Sequence, residues 1–454
     1  MKNNNRSIVG FSKLSKSGKL KWMVENFFKD PERVMKELMS YWLIDEEKQE
    51  ILDRFSENTS SNFYLPYGVA PNFLLNGETY CVPMVIEESS VVAAASYAAK
   101  FWADRGGFKA KVVSMDKVGQ VHFTWTGPGH LLQDKMPLLE VALRNSAKEI
   151  LLNMEERGGG VKKLEILDLS MVESNLFQLR VTFDTVDSMG ANFINSVLED
   201  FATTLVRFVN GDSTLSGHGD LEIIMAILSN YTPNCVVRAW VECPVSELGR
   251  VEEQSADDFA EKFEKAIRIA EVDHYRATTH NKGIFNGIDA VVIATGNDFR
   301  AVEANGHAFA ARSGQYRSLS GCTISGGTFR FWLEIPLALG TVGGLTALHP
   351  MAKRSLELLG NPNAPKLMMI AAAMGLAQNF AAVRSLVTTG IQKGHMRMHL
   401  INMLSHLEAS EKEVKACLTY FKDKVVSFSA VREFLQLLRA SARSENSKIS
   451  GSLH

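Results

Sequence analysis

The sequence predicts a mixed α/β (α+β) protein: a large domain, a smaller domain inserted into it, and a helical C-terminal segment. Three observations carry this reading. The 454 residues exceed the roughly 100–200 that one domain usually takes. Short β-branched runs are interspersed with amphipathic helical stretches along the chain. A self-contained order of strands and helices also occupies residues 109–224, between two stretches of different character. The boundaries read as 1–110 and 225–388 for the large domain, 111–224 for the insert and 389–454 for the C-terminal segment.

Composition narrows the function classes. Hydrophobic residues at 46% and charged residues at 22% place the chain among soluble globular proteins. A net charge of −2 offers no basic surplus for nucleic acid, though a local patch can still hold a phosphorylated small ligand. The five cysteines include no C-x-x-C pair, which suits reduced thiols in a cytosol. The N-terminal stretch lacks a signal-peptide core. The longest apolar run, Leu367–Ala377, falls short of the ~18 residues of a membrane span. A cytoplasmic protein without a membrane segment is expected.

Taken in order, residues 15–57 carry apolar residues at helical spacing and read as two or three surface helices, one starting at Asp30-Pro31. Around Asn76-Gly77, two strand-like runs predict a hairpin. Glu87-Glu88-Ser89-Ser90 then precedes the small-residue helix VVAAASYAAKFWA, a pattern that capping alone would explain. In the insert, Lys111–Thr126 reads as strands and Asp134–Glu156 as one helix ended by three glycines. Strands at Leu164–Leu169 and Leu176–Phe183 follow, then Asp187-Ser188-Met189-Gly190-Ala191-Asn192 and an apolar helix. A glycine turn opening a helix is a ready anion site, but from the residues alone a plain strand-to-helix connection with an Asp cap is the favoured reading. No G-x-G-x-x-G occurs, so no Rossmann fingerprint is present.

Beyond the insert, Asp257–Ala270 reads as a helix. It leads to the densest chemistry in the chain, DHYRATTHNKGIFNGIDAVVIATGNDFRAVEA. There the run Ala290–Ala294 reads as a short buried strand, with Lys282 before it and Asp298 after it. Gln378-Asn379 sit in an Ala-rich stretch that alone would read as core helix. Gly394-His395-Met396-Arg397-Met398-His399 places histidines at i and i+4. The zinc-peptidase pattern needs Glu after the first His, and Met396 stands there, so no metal site is expected. Helical patterning runs from 411 to 440, and the polar end beyond is expected to lack structure.

These motifs, in this order from about residue 55 to 400, resemble class II (bacterial-type) 3-hydroxy-3-methylglutaryl-coenzyme A reductase. Quoted as they stand, they are LPYGVAPNF with EESSVVAAAS, DSMGAN, THNKGIFNGIDAVVIATGNDFRAVEA, VGGLTALHP and GHMRMH. Ser89 stands where the family often has proline, Thr59-Ser60-Ser61 replaces Val-Ile-Gly, and Ser12-Lys13 stands near a family arginine that contacts coenzyme A. The resemblance implies a four-electron reduction of HMG-CoA to mevalonate and coenzyme A by two NAD(P)H. It also implies a non-Rossmann cofactor domain, a C-terminal flap and an active site between the subunits of a homodimer or a higher multiple of dimers.

Residue by residue, the resemblance implies Glu88, Lys282, Asp298 and His395 as catalytic groups. Lys282 would stabilise an oxyanion, held by Asp298. His395 would protonate the coenzyme A thiolate. Glu88 would act as an acid, its proton retained by burial or by a nearby Asp298. Ser90, Arg276, Asn286, Gln378 and Asn379 are implied at the substrate, Arg276 on a carboxylate. Asp187, Met189, Gly190, Ala191, Asn192 and Asn230 are implied at the cofactor. Glu149 would favour NAD, whereas Lys148, Lys162 and Lys163 favour NADP, and NADPH is preferred here. Three readings compete: another NAD(P)-dependent acyl-CoA or aldehyde oxidoreductase, a metal hydrolase built on His395 and His399, and a non-catalytic ligand-binding homologue.

Overall fold

The computed structural model describes residues 6–388, 390, 400–401, 403–422, 424 and 426–450. Three N-terminal helices come first: α1 (Lys16–Phe27), α2 (Pro31–Ser40) and α3 (Glu46–Asp53). Side chains of Ser15, Asp30 and Asp45 accept from the first free amides of these helices, and α2 starts at Asp30-Pro31, as the sequence predicts. Strands β1 (Tyr67–Leu75) and β2 (Glu78–Val85) form an antiparallel hairpin around Asn76-Gly77. Helix α4 (Val91–Ala103) follows.

Two four-stranded antiparallel sheets sit on separate cores. The first has the order β3 (Lys109–Val112), β8 (Val236–Pro244), β10 (Thr328–Pro336), β9 (Ser320–Ser325). The second has the order β5 (Gly160–Asp168), β6 (Leu176–Asp184), β4 (Lys117–Trp125), β7 (Leu221–Ser229). The chain therefore crosses between sheets at 113–116 and 230–235. On β4, residues 117, 119, 121, 123 and 125 alternate with half-buried neighbours and face the second core. That core is capped by α8 (Ala191–Gly211), whose buried Ile194, Val197, Leu198, Phe201 and Leu205 recur at helical spacing. The expected single helix at 134–156 is instead two, α6 (Met136–Ser146) and α7 (Lys148–Glu155), and a short α5 (Gly129–Asp134) precedes them. Chain bends at Lys135 and Ala147 separate them, so each short helix can turn its own apolar residues onto the core. A one-turn helix, α9 (Ser213–Ser216), follows α8.

The first core is built around helices. α10 (Ala256–Val272), α11 (His274–Ala294) and α12 (Phe299–Ala310) run in sequence, followed by α13 (Gly344–Leu348), α14 (Pro350–Leu358) and the long α15 (Ala364–Val387). The run Ala290–Ala294 is therefore not a strand but the C-terminal turn and a half of α11. Ala290, Val291, Val292 and Ala294 are all buried, so the run shows no polar face, and periodicity alone cannot separate a buried helix from a buried strand. Lys282 and the run thus lie on one continuous helix.

α15 is the one described helix long and apolar enough to cross a membrane, yet 78% of its apolar window is buried inside the fold. It crosses α11 closely. A Cβ at Gly287 would lie 2.7 Å from the carbonyl oxygen of Met374, and one at Gly375 would lie 2.7 Å from Ile288 Cγ1. Each helix thus offers a glycine where the other helix presses hardest. At the C-terminal end, α16 (Glu411–Tyr420) and α17 (Phe428–Ser450) share a small third core with Leu400, Met403 and Leu404. α17 continues through part of the polar end expected to lack structure, over residues with adequate helix propensity.

Gly287→Ala is expected to lower the unfolding free energy by about 1–3 kcal/mol, because the added methyl group meets backbone. Gly283→Ala, on the same helix with nothing within 4 Å of its Cβ, is expected to leave stability unchanged or raised. Urea unfolding of both variants checks the pair.

Candidate active site

A cleft opens between α11, α15 and the start of α4. Helical spacing explains its first wall: Arg276, Thr279, Gly283 and Asn286 fall on neighbouring turns of one face of α11, with Lys282 at its edge. Glu88, 194 residues earlier in the chain, reaches this face. Its Oε2 accepts from Lys282 Nζ at 2.5 Å and from Asn286 Nδ2 at 3.4 Å. Lys282 and Asn286 are one helical turn apart, so a single carboxylate meets both. Glu88 therefore caps nothing and stands as the ion partner of the lysine, not as an isolated acid.

Ser90 occupies the N-cap position of α4, yet its side chain makes no capping bond. Its backbone is left-handed, with φ 76°, which a serine adopts at a cost of about 1–3 kcal/mol. The hydroxyl lines the cleft instead. Arg276 also lines it, and burial holds its guanidinium below the ordinary arginine range. The opposite wall carries Gln378, only 6% exposed, whose Oε1 is buried without a hydrogen-bond partner. Gln378 is thus a polar residue on a helix buried on nearly every side, as the core reading of this stretch predicts.

Asn379 serves a network beneath the cleft. Ser320 Oγ donates to Asn379 Oδ1 at 2.8 Å, His280 Nε2 lies 2.7 Å from Ser320 Oγ, and Asn379 Nδ2 lies 3.5 Å from His280 Nδ1. This ring closes only if His280 is neutral, with its proton on Nε2, because Nδ1 must accept. Burial, helped by the nearby Arg276 charge, pushes the His280 pKa down to about 3. His280 escaped the sequence reading, although its position four residues after Arg276 on a helix would have suggested it.

Asp298 is not beside Lys282. It is the N-cap of α12, accepting from the amides of Arg300 and Ala301 and pairing with the Arg300 guanidinium. Burial opposes its ionisation, but the Arg300 and amide contacts outweigh that and keep its carboxyl below the usual range. Twelve residues of α11 separate Lys282 from Ala294, about 18 Å of helix. The expectation that Asp298 holds Lys282, or acts on Glu88, therefore fails within one chain. His395 and His399 lie outside the described residues. Among the described residues no cluster of His, Cys, Asp and Glu could hold a metal.

A second cleft lies where the small sheet meets α12. Met189, Ala191 and Asn230 line it, together with Ala301 and Val302. Gly190 makes the turn possible: its φ is 91°, and a Cβ there would lie 2.5 Å from Thr185 Cγ2. The amides opening α8 carry the positive end of the helix dipole. Asp187 does other work, its carboxylate accepting from Ala364 N at 2.7 Å and so tying this turn to the start of α15. Asn192 is exposed on the first turn of α8, and Glu149 is exposed on the first turn of α7, outside the residues lining this cleft.

Lys117, which the sequence reading passed over, also lines the second cleft. Its side chain is 2% exposed and donates to Thr185 Oγ1 and, at 2.7 Å, to the Ser188 carbonyl. The signal was present in the sequence: Lys117 falls on the inward register of β4, where a lysine is out of place.

Comparison with known proteins finds relatives over most of the chain. The family model described as hydroxymethylglutaryl-coenzyme A reductase matches residues 25–400. The 3-hydroxy-3-methylglutaryl-coenzyme A reductase of Archaeoglobus fulgidus is 36% identical over 440 residues, 95% of each chain. A probable reductase of the same name from Borreliella burgdorferi is 31% identical over 382 residues, 83% of each chain. Among solved structures, the class II enzyme from Streptococcus pneumoniae bound to NADPH in open conformations aligns with TM-score 0.69 and 37% identity. That alignment covers 90% of this chain and 99% of that one.

The neutral His280 gives a pH test. Its pKa is about 3 in the folded chain and about 6.5 unfolded, so between these values the unfolded state binds the extra proton. Stability is fully present above pH 6.5 and falls as the pH drops toward 3. From pH 7 to pH 5 this residue alone is expected to remove on the order of 2 kcal/mol. Urea midpoints of wild type and His280→Gln at both pH values check it, the variant showing the smaller drop.

Proposed function

The chain belongs to the hydroxymethylglutaryl-coenzyme A reductase family, and from that premise we propose that the cleft between α11 and α15 reduces HMG-CoA. The products are mevalonate and free coenzyme A, and two NADPH are consumed. The observation that carries this assignment is the Glu88–Lys282–Asn286 cluster at 2.5 and 3.4 Å. It sits in a cleft that also presents Arg276 and the unpaired Oε1 of Gln378.

The chemistry follows from these groups. Arg276 takes the free carboxylate of the acyl group, a planar fork for a planar anion. The Gln378 Oε1 accepts from a substrate hydroxyl and so gains the partner it lacks. The thioester carbonyl lies at Lys282, whose ammonium stabilises the oxyanion as it forms. Collapse of that intermediate expels the coenzyme A thiolate, which His395 protonates. The resulting aldehyde is reduced in turn and takes a proton at its oxygen. Lys282 delivers that proton from its ammonium, and the neutral amine left beside the Glu88 carboxylate is reprotonated from solvent before the next turnover. Two nicotinamide nucleotides bound in succession would each supply one hydride. On this chain, Met189, Ala191 and Asn230 would hold the nicotinamide, beside the positive end of α8.

We further propose that each site is shared between the two chains of a homodimer. Asp298 lies at the far end of α11 from Lys282, beside the second cleft. A two-fold axis would set the Asp298 end of one chain against the Lys282 cleft of the other. The cofactor cleft of one subunit would then serve the acyl cleft of its partner. We place this dimer in the cytoplasm.

Purified protein with HMG-CoA and NADPH is expected to consume two nucleotides per thiol released, as followed by absorbance and a thiol reagent. One nucleotide per thiol, or none, overturns the assignment. Lys282→Met is expected to lower kcat by about 10²–10³-fold, the usual loss when an oxyanion donor is removed. For the dimer, inactive Lys282→Met and Asp298→Asn chains are co-folded in equal amounts. Mixed dimers with one intact shared site are expected to restore about a quarter of wild-type activity. No recovery would place the whole site within one chain.

A further inference from the structure

Lys117 lines the second cleft but has no part in the reaction above. It is 2% exposed, yet its hydrogen-bond partners are the uncharged Thr185 hydroxyl and Ser188 carbonyl. An ammonium has three donors, so one remains after these two contacts. A buried cation with neutral partners is costly, and Lys117→Met would fill the same space without that cost. Burial pulls the Lys117 pKa down, while Cys235, Asp184 and Asp187 nearby pull it back. Asp184 and Asp187 favour the charged form from nearby without fully offsetting burial, and none of the hydrogen bonds of Lys117 is to an ion.

What surrounds it is the second cleft. Met189, Ala191 and Val302 give an apolar lining suited to a flat ring, and Asn230 offers an amide for a carboxamide. The nicotinamide ring changes charge in the reaction: the reduced ring is neutral and the oxidised ring is a pyridinium cation. A fixed positive charge beside the ring therefore distinguishes the two forms. The reaction demands such a distinction, because the first spent nucleotide must leave and a fresh one must enter while the aldehyde stays bound.

We infer that Lys117 is a buried charge that weakens the hold of this cleft on the oxidised nucleotide relative to the reduced one, and so promotes cofactor exchange between the two reductions. This rests on the proposed reading of the cleft as the nicotinamide site. Lys117 also pins the turn at 185–190, but that role would affect both forms of the nucleotide alike. Only the charge acts on their ratio.

The test is equilibrium binding to the full-length protein without acyl substrate: NADPH by fluorescence, NADP⁺ by competition. Wild type is expected to bind NADPH more tightly than NADP⁺. In Lys117→Met the ratio of the two Kd values is expected to fall on the order of ten-fold, the effect of one charge across ~10 Å at an effective dielectric of ~20. Lys117→Arg, which keeps the charge, is expected to keep the ratio, and Lys117→Gln provides a second neutral variant. Equal changes in both Kd values in the neutral variants would overturn the inference. So would tighter binding of NADP⁺ by wild type. Ala191→Trp separates this from the underlying reading: loss of both nucleotides supports the cleft as the cofactor site, whereas unchanged binding of both overturns the cleft assignment itself.

Discussion

The crossing of α11 and α15 is the constraint on which the acyl cleft depends. Each helix brings a glycine to the contact, Gly287 against Met374 and Gly375 against Ile288. Without a Cβ at these two points the helix axes approach closely, and the residues just beyond the contact splay into two walls. Lys282 and Arg276 stand on one wall and Gln378 on the other. The His280–Ser320–Asn379 ring ties the same two helices to β9 with neutral hydrogen bonds. Packing density and a satisfied polar ring thus fix the geometry of charged groups that are themselves partly exposed.

The cofactor side follows a different logic. Its turn is held less by apolar packing than by polar pins from both sheets' neighbourhoods. Asp187 bonds to the start of α15, Thr341 N bonds to the Asp187 carbonyl, and Lys117 bonds to Thr185 and Ser188. The turn is therefore referenced to the large core as well as to its own sheet, which sets the second cleft in a definite place relative to α12.

Much of this was legible in the sequence, for identifiable reasons. Capping residues announced α2, and Asn76-Gly77 announced the first hairpin, because both signals are local. The family resemblance assembled residues that composition could not, and the Glu88–Lys282 contact spans 194 positions that no local rule connects. Three readings failed on tertiary grounds. Ala290–Ala294 looked like a strand because full burial erases the polar face that marks a helix. Ser90 looked like a cap, but its backbone turns left-handed and its hydroxyl goes elsewhere. The family resemblance implied Asp298 at Lys282, yet about 18 Å of helix separates Lys282 from the end of α11. Lys117 was the opposite case, a local anomaly in an inward strand position that went unremarked.

Position 90 sets two demands on one codon. A glycine there would adopt the left-handed backbone without penalty and would steady the folded chain by roughly 1 kcal/mol. It would also strip a hydroxyl from the wall of the acyl cleft. Selection for a sturdier protein and selection for a better catalyst therefore pull this residue in opposite directions. A library screened for heat resistance alone would drift toward glycine at 90 and lose turnover as it did so.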